Sequence, residues 1–231
     1  MLRDPQATAL YIFPTKALAQ DQLAGLHELL IAIPTGGSPI APGTYDGDTP
    51  SNARQTIRKK SRLIITNPDM LHTGILPHHT RWERFFRGLL YIVIDEMHTY
   101  RGIFGSHVAN TFRRLKRIAS FYGAKPQFIL TSATIGNPKE LAEQLIEEPV
   151  TLIDDDASSH GAKHFLIYNP PVIDEDLGIR ASLTQETVRL TEDLLTFKIQ
   201  TIIFGRTRRT VEILLRSLKP GFSDMEMPSS R

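Results

Sequence analysis

A chain of 231 residues has room for one complete domain and part of another, and 41% hydrophobic with 23% charged residues excludes a chain too polar to fold. A formal net charge of +2 excludes a molecule-wide field for nucleic acid, so any such affinity must come from locally placed Lys and Arg. The lack of cysteine removes disulfides, thiolate metal sites and cysteine nucleophiles, and with no apolar run near the ~18 residues of a membrane span and no signal-peptide pattern the expected location is the cytoplasm.

In chain order, the run Ala7 to Phe13 is short, rich in strand formers and bounded by Pro5 and Pro14, which predicts a buried strand. It begins almost at residue one, where a central strand normally has structure before it, so an upstream segment is expected to be missing. Thr15 is placed to cap a helix whose apolar positions Leu18, Leu23, Leu26, Leu30 and Ile33 recur at helical spacing. Residues 34 to 50, rich in Gly, Pro and Asp, predict a loop around one short extended piece, with Thr49 capping and Pro50 opening a basic helix that carries Arg54, Arg58 and Lys59. Leu63 to Thr66, Tyr91 to Ile94 and Gln127 to Leu130 are three further β-rich runs separated by helical segments, an alternation that predicts a parallel α/β sheet.

Between Ala109 and Phe121 the apolar positions Phe112, Leu115 and Ala119 define one helix face, and Arg113, Arg114, Lys116 and Arg117 crowd the others as the ordinary solvated side of an amphipathic helix. Val150 to Ile153 is strand-like, and the acids and serines of 154–162 predict a linker, so a first domain is expected over residues 1–153. A second α/β pattern is expected over 163–222, with strands near 164 to 168 and 200 to 204 and helices near 180 to 197 and 207 to 218. Residues 223–231 have no periodicity and predict a disordered tail.

The sharpest chemical feature is Tyr91-Ile92-Val93-Ile94-Asp95-Glu96-Met97-His98, in which four strand formers deliver two carboxylates and a histidine to a strand's carboxyl end. Ligands bind at that edge of open α/β sheets. Asp95 there is a candidate Mg²⁺ ligand acting through water, and Glu96 a candidate for orienting and polarising the water that attacks a γ-phosphate. An isolated Asp-Glu pair is more often the start of a solvated loop, a lone histidine more often a satisfied structural residue, and a Lys after a cap more often solvated. Other segments decide against those ordinary readings. Neither a cysteine nor a helical His pair accompanies His78 and His79, so no metal besides Mg²⁺ is expected.

Asp95-Glu96-Met97-His98 resembles the DExH box of the superfamily-two DExH/DEAD-box helicases, and Ser132-Ala133-Thr134 resembles their Ser-Ala-Thr motif in the same order and spacing. Phe13-Pro14-Thr15-Lys16-Ala17-Leu18-Ala19-Gln20-Asp21-Gln22 and Thr66-Asn67-Pro68-Asp69-Met70-Leu71 are similar to the family's first and second DNA contacts. Tyr45-Asp46-Gly47-Asp48-Thr49, His98-Thr99-Tyr100-Arg101-Gly102 and Gly105-Ser106-His107-Val108 narrow the resemblance to the bacterial MrfA (YprA-like) DNA-repair helicases, relatives of the RecQ-four-like and Lhr enzymes, over about residues 3–218. The resemblance implies a RecA-like parallel sheet of the P-loop NTPase fold, flanked by helices, in a first domain cut short at its N-terminus, followed by the start of a second RecA-like domain. It implies catalytic roles for Asp95, Glu96 and His98, with His98 coupling the nucleotide site to Ser132, Ala133 and Thr134. It also implies nucleic-acid contacts at Pro14, Thr15, Lys16, Gly47, Asp48, Thr49, Thr66, Asn67 and Pro68, and at Arg206 and Thr207 within Ile202-Ile203-Phe204-Gly205-Arg206-Thr207-Arg208-Arg209. Backbone N–H groups at helix starts suit phosphates and read no bases, so the implied partner is single-stranded or tailed DNA bound largely without sequence preference.

The phosphate-binding loop G-x-x-x-x-G-K-[ST] is absent, since no Gly-Lys pair occurs in the chain. Family members carry it upstream of the strand matching Ala7 to Phe13, and the arginine finger in later motifs of the second domain. The intact parent is therefore expected to use ATP and Mg²⁺, and the chain alone to bind them weakly or not at all and to show no appreciable ATPase. An open sheet side and low solubility are also expected. The leading expectation is part of a 3′-to-5′ DNA repair helicase or translocase, with polarity taken from the resemblance. The alternatives are a non-catalytic nucleic-acid-binding module and a small-molecule enzyme using Asp95 and Glu96 on Mg²⁺.

Overall fold

Strand formers at Thr8–Ile12 (β1), Pro42–Thr44 (β2), Leu63–Thr66 (β3), Leu89–Ile94 (β4) and Gln127–Leu130 (β5) build one sheet in the order β2-β3-β1-β4-β5, with every pairing parallel. This computed structural model describes residues 1, 4–32, 40, 42–155 and 161–218. Parallel strands need crossovers, and the chain supplies them as α1 (Lys16–Ala32), α2 (Ser51–Lys60), α3 (Pro68–Met70), α4 (Glu83–Arg87) and α5 (Gly102–Phe121), with α6 (Pro138–Ile146) following the last strand. Between α3 and α4 the chain winds as a π-helix over Leu71–Ile75 and a 3₁₀ segment over Leu76–Trp82, broken at His78.

The interior strands β1, β3 and β4 read as near-continuous apolar runs because both faces of the sheet are covered there, whereas Ile129 of the edge strand β5 is 42% exposed. Leu10, Ile12, Ile64, Ile92 and Ile94 point to one face, where they pack with Trp82, Phe85, Phe86, Phe112 and Leu115. Phe13, Leu63 and Ile65 point to the other, where Ala19 of α1 covers them with Leu23 and Leu26 at its margin. The first side holds most of the core, and each of its fully buried large side chains contributes roughly 1.5–3 kcal/mol. Helix α1 forms where its apolar spacing predicts, but Ala19 is its only buried residue and Leu29 is 56% exposed. Ile33 lies outside the described residues.

Because every strand is parallel, all five carboxyl ends share one edge. Cross-strand hydrogen bonds carry the alignment past the strands themselves: Phe13 N–H donates to Thr66 O at 3.0 Å, Asp95 N–H to Ile12 O at 3.0 Å, Thr131 N–H to Ile94 O at 2.9 Å and Tyr45 N–H to Ile65 O at 2.8 Å. The residues following β1, β2, β3, β4 and β5 are thereby held in one row.

Several sequence expectations are corrected. Thr49 does not cap α2, because its hydroxyl donates to Thr44 O and meets Asp46 Oδ1; Pro50 stands at the cap position without a side-chain bond, and Ser51 opens the helix. Helix α5 begins at Gly102 rather than near Ala109, and Gly105 within it is set by close approach, since a Cβ there would lie 2.5 Å from Tyr100 O. Val150 to Ile153 forms no strand, having no strand beside it to pair with among the described residues, and Ile153 is 88% exposed.

The chain divides into two units, Met1–Asp156 and Ala157–Arg231. The second contains a short antiparallel pair, β6 (Val172–Asp174) with β7 (Ile179–Arg180), and helices α7 (Leu183–Thr196) and α8 (Arg208–Leu218). The strands predicted at 164 to 168 and 200 to 204 are not formed. A strand is a pairing, and neither segment pairs with another among the described residues: Phe165, Leu166, Ile167 and Phe204 are 87–91% exposed. Polar contacts hold the first of these segments to α7 instead, with Tyr168 hydroxyl donating to Glu186 Oε2 at 2.5 Å and Arg189 donating to both. The tail at 223–231 lies outside the described residues.

Candidate functional site

Strand β4 ends by delivering Asp95 onto the shared edge, half-buried between the tips of β1 and β5. Asp95 Oδ1 accepts the Glu96 N–H at 2.9 Å and the Thr131 hydroxyl. These bonds fix the carboxylate by one oxygen and leave Oδ2 with no hydrogen-bond partner among the described residues. A single half-exposed carboxylate suits a hard divalent ion held largely through water rather than a closed cage. No cluster of three or more His, Cys, Asp or Glu that could ligate a metal occurs among the described residues.

Glu96 adopts a left-handed backbone at φ 51°, ψ 41°, a costly conformation for a residue with a Cβ and one that concentrates at functional sites. That turn ends the strand and starts the 3₁₀ segment Met97–Thr99, which Met97 N–H anchors to Thr131 O at 3.0 Å and Thr99 anchors to Glu96 O. His98 faces back toward the acid: its Nε2 lies 3.2 Å from Glu96 Oε2, and its Nδ1 accepts the Ala133 N–H at 3.2 Å. An accepting Nδ1 leaves the ring proton to Nε2, the nitrogen on the Glu96 side. His98 therefore bridges Glu96 to the Ser-Ala-Thr segment through the backbone of Ala133, not through the hydroxyls of Ser132 or Thr134. Ser132 Oγ donates to Ala133 O at 2.9 Å, and Thr134 is exposed.

Beneath this tip lies Tyr100, almost fully buried with its hydroxyl unpartnered. Burial, and then the charge of Asp95, push its ionisation well above the usual phenol range. Tyr11 is shifted the same way by burial and Asp95. Thr131 and Tyr100 are site neighbours that sequence reasoning missed. The signal for Thr131 was its place one residue past β5, beside the tip of β4; nothing in the sequence marked the Tyr100 hydroxyl as buried.

Along the same edge, β1 runs into Pro14 and Thr15, and Thr15 Oγ1 accepts the Leu18 N–H at 3.4 Å at the start of α1. Lys16 Nζ reaches Asp48 Oδ2 at 2.6 Å, linking α1 to the loop Tyr45–Thr49, and this bond raises the Lys16 pKa. Asp46 Oδ1 accepts from the backbones of Asp48 and Thr49 and from the Thr49 hydroxyl, while Arg54 donates to Thr49 O at 2.9 Å and to Asp46 O at 3.1 Å. Gly47 and Asp48 are the exposed crest of this rigid loop. Thr66 is buried, and its hydroxyl donates to Tyr45 O at 2.7 Å, so it positions that loop and does not face solvent. Asn67 Oδ1 caps α3 by accepting the Met70 N–H at 2.8 Å, and Pro68 is buried behind it.

The fold thus brings Thr15, Lys16, Gly47, Asp48, Thr49, Asn67, Asp95, Glu96, His98, Ala133 and Thr134 to one edge of one sheet. In the second unit, taken by itself, Thr207 caps α8 by accepting the Thr210 N–H at 3.1 Å, and Arg206 beside it is exposed. The basic face of α5 is not purely solvated as expected: Arg113 pairs with Glu147 and Lys116 with Glu148 and Ile146 O, which joins α5 to α6.

Residues 1–142 match the model of the DEAD/DEAH box helicase family. The chain is 55% identical over 217 residues to YprA of Bacillus subtilis, an uncharacterized ATP-dependent helicase, covering 94% of the chain and 29% of YprA. It is 42% identical to the ATP-dependent helicase HRQ1 of Saccharomyces cerevisiae, covering 95% of the chain and 20% of HRQ1. Among solved structures, the DUF1998 helicase MrfA bound to DNA and AMPPNP matches with a TM-score of 0.88 at 54% identity, over 94% of the chain and 30% of MrfA. The chain thus spans under a third of the length of each of these relatives. No helix among the described residues is long and apolar enough to cross a membrane.

Proposed function

On the premise that the chain belongs to the DEAD/DEAH box helicase family, we propose that it is the strand-gripping and water-positioning portion of an ATP-dependent DNA helicase or translocase that moves 3′ to 5′ in DNA repair. The observation that carries this reading is the path of close polar contacts from Glu96 to His98 at 3.2 Å and from His98 to the Ala133 N–H, on the same sheet edge as the helix start at Thr15 and the loop crest before α2. The kinship to YprA, HRQ1 and MrfA supports it.

In this reading Asp95 holds Mg²⁺ through water with its unpartnered oxygen, and the ion would orient and neutralise the phosphates of ATP. Glu96 orients and polarises the attacking water. His98 steadies that carboxylate from one side and senses the Ser-Ala-Thr segment from the other, so a shift of residues 132–134 is transmitted to the acid. The N–H groups of Gly47 and of the first turn of α1 at Thr15 and Lys16, with the Lys16 cation and the Asn67 amide, would meet phosphates without reading bases, and Pro14, Asp48, Thr49 and Pro68 shape that edge. Arg206 and Thr207 offer a contact of the same kind at the start of α8.

Because the 231 residues hold no Gly-Lys pair, nothing in them cradles a γ-phosphate, and we expect the polypeptide by itself to hydrolyse ATP no faster than background. The second reading is a nucleic-acid-binding module without a motor. Filter binding of the chain to single-stranded DNA tests both, with affinity expected to fall steeply as salt rises, by a slope of about 0.7 per phosphate contact. Failure to bind at low salt would sink both readings and leave the small-molecule alternative. To separate them, a form of the protein that includes a Gly-Lys-Ser/Thr loop is given tailed duplexes: displacement from 3′ tails supports the helicase, and no ATP-dependent displacement supports the module.

A further inference from the structure

Behind the 45–49 loop, between α2 and the irregular segment 71–82, lies a cavity of ≈ 410 Å³ that none of the roles above uses. Arg54, Arg58, Arg81 and His78 line it, and no carboxylate does. None of these three arginines is ion-paired with an acid among the described residues. Arg54 is engaged with the backbone of the 45–49 loop and sits over the Tyr45 ring, and Arg58 reaches the Tyr45 hydroxyl at 3.2 Å, while Arg81 is exposed at the rim. Ser51 and Thr73 add hydroxyls.

Three unpaired guanidiniums around one cavity repel one another, and an arrangement without acids is relieved by an anion. Two further features mark the wall. It is built on the π-helix Leu71–Ile75, a winding that recurs at functional sites, and it includes Trp82, whose buried indole N–H has no hydrogen-bond partner.

We propose that this cavity is a phosphate-binding site, additional to the helix-start contacts, that receives a phosphoryl group from a nucleotide. The source is either the backbone of the bound strand, in which case the site rests on the DNA-binding reading above, or a free mononucleotide. Arg58 and Arg81 supply the charge, and Arg54 holds the cavity against the loop that grips the strand.

Trp82 is the chain's only tryptophan and lines this cavity, so its emission serves as the probe of it. The chain is titrated with a labelled oligothymidylate, following label anisotropy for binding anywhere and Trp82 emission for the cavity, and separately with dTMP. Backbone occupancy predicts that both signals saturate together, that Arg58→Gln with Arg81→Gln weakens binding roughly tenfold, and that the salt slope falls by about 1.4 for two lost contacts. Arg81→Glu alone, at an exposed position, guards against a folding artefact in the double variant. A dTMP-dependent emission change that does not displace the oligonucleotide and is lost in Arg81→Glu supports the free nucleotide as occupant. Oligonucleotide binding with unmoved emission and an unchanged slope, together with no response to dTMP, overturns the site while leaving the DNA-binding reading intact. If anisotropy shows no binding at all, the DNA-binding reading fails, and the dTMP titration alone decides the cavity.

Discussion

Tyr91-Ile92-Val93-Ile94 and Thr201-Ile202-Ile203-Phe204 are nearly interchangeable as sequences, yet the first is part of an interior, largely buried strand of a five-stranded sheet and the second is unpaired among the described residues, with Phe204 91% exposed. The difference is the neighbour. Ile92 and Ile94 lie between β1 and β5 and beneath Phe86 and Phe112, whereas 201–205 has no strand beside it among the described residues. Apolar alternation specifies what a segment does once paired and says nothing about whether a partner is there.

Hydrogen exchange should show the largest contrast. Amides of β1 and β4 should exchange only through global opening, orders of magnitude more slowly than amides of 161–171 and 201–205, which should exchange within the first seconds. Comparable protection in both regions would break the comparison. Next in size, Phe86→Ala should cost about 3–5 kcal/mol in denaturant titrations, because a fully buried ring leaves a cavity that the sheet and α5 cannot fill. Phe204→Ser should change stability by less than about 0.5 kcal/mol. It should instead reduce self-association in light scattering, since the most exposed apolar side chain of 201–205 is removed.

The same contrast explains what could be read in advance. The strands Leu63–Thr66 and Gln127–Leu130 were legible to the residue, and so was the delivery of Asp95 to a strand tip: the first is buried throughout, and the second, an edge strand with Ile129 42% exposed, still shows as a short β-rich run bounded by turns. Thr49, Thr66 and Ala133 were legible only as places. That Thr49 would turn to Asp46, that Thr66 would hold Tyr45, and that His98 would meet a backbone amide depended on which lone pairs the tertiary fold left open. The cavity at Trp82 was invisible, since Arg54, Arg58 and Arg81 come together only once α2 packs beside a π-helix that no periodicity announces. In the second unit, helices α7 and α8 were readable from local spacing, while its predicted strands depended on partners that local sequence does not contain.

A smaller effect sharpens the comparison at the site. Thr131→Val removes the hydroxyl that anchors Asp95 and should cost about 1 kcal/mol, less than a buried charged hydrogen bond would, because Thr131 is exposed. Thr131→Ser should restore most of it in the same denaturant titration. The equivalent change at Thr207, the cap of α8, should lower the helicity of the second unit and leave the unfolding of the first untouched, if the two differ as their cores do. A loss of first-unit stability on Thr207→Ala would show that they do not.

Tyr100 gives the finest test, because its effect is confined to alkaline pH. Its phenol is raised by burial and by Asp95, so between the unfolded value near 10 and the higher folded one the unfolded chain binds fewer protons than the folded chain. Stability should therefore be flat through neutral pH and fall above about pH 10, by up to ~1.4 kcal/mol per pH unit. Tyr11 acts in the same direction from a half-buried position and should account for what remains in Tyr100→Phe. At neutral pH that variant also loses a buried hydroxyl with no partner, so it should be as stable as the parent or more stable by about 1 kcal/mol. A clear loss of stability at pH 7 would mean that the hydroxyl has a partner in solution, and the natural candidate is a water shared with Asp95 at the strand tip.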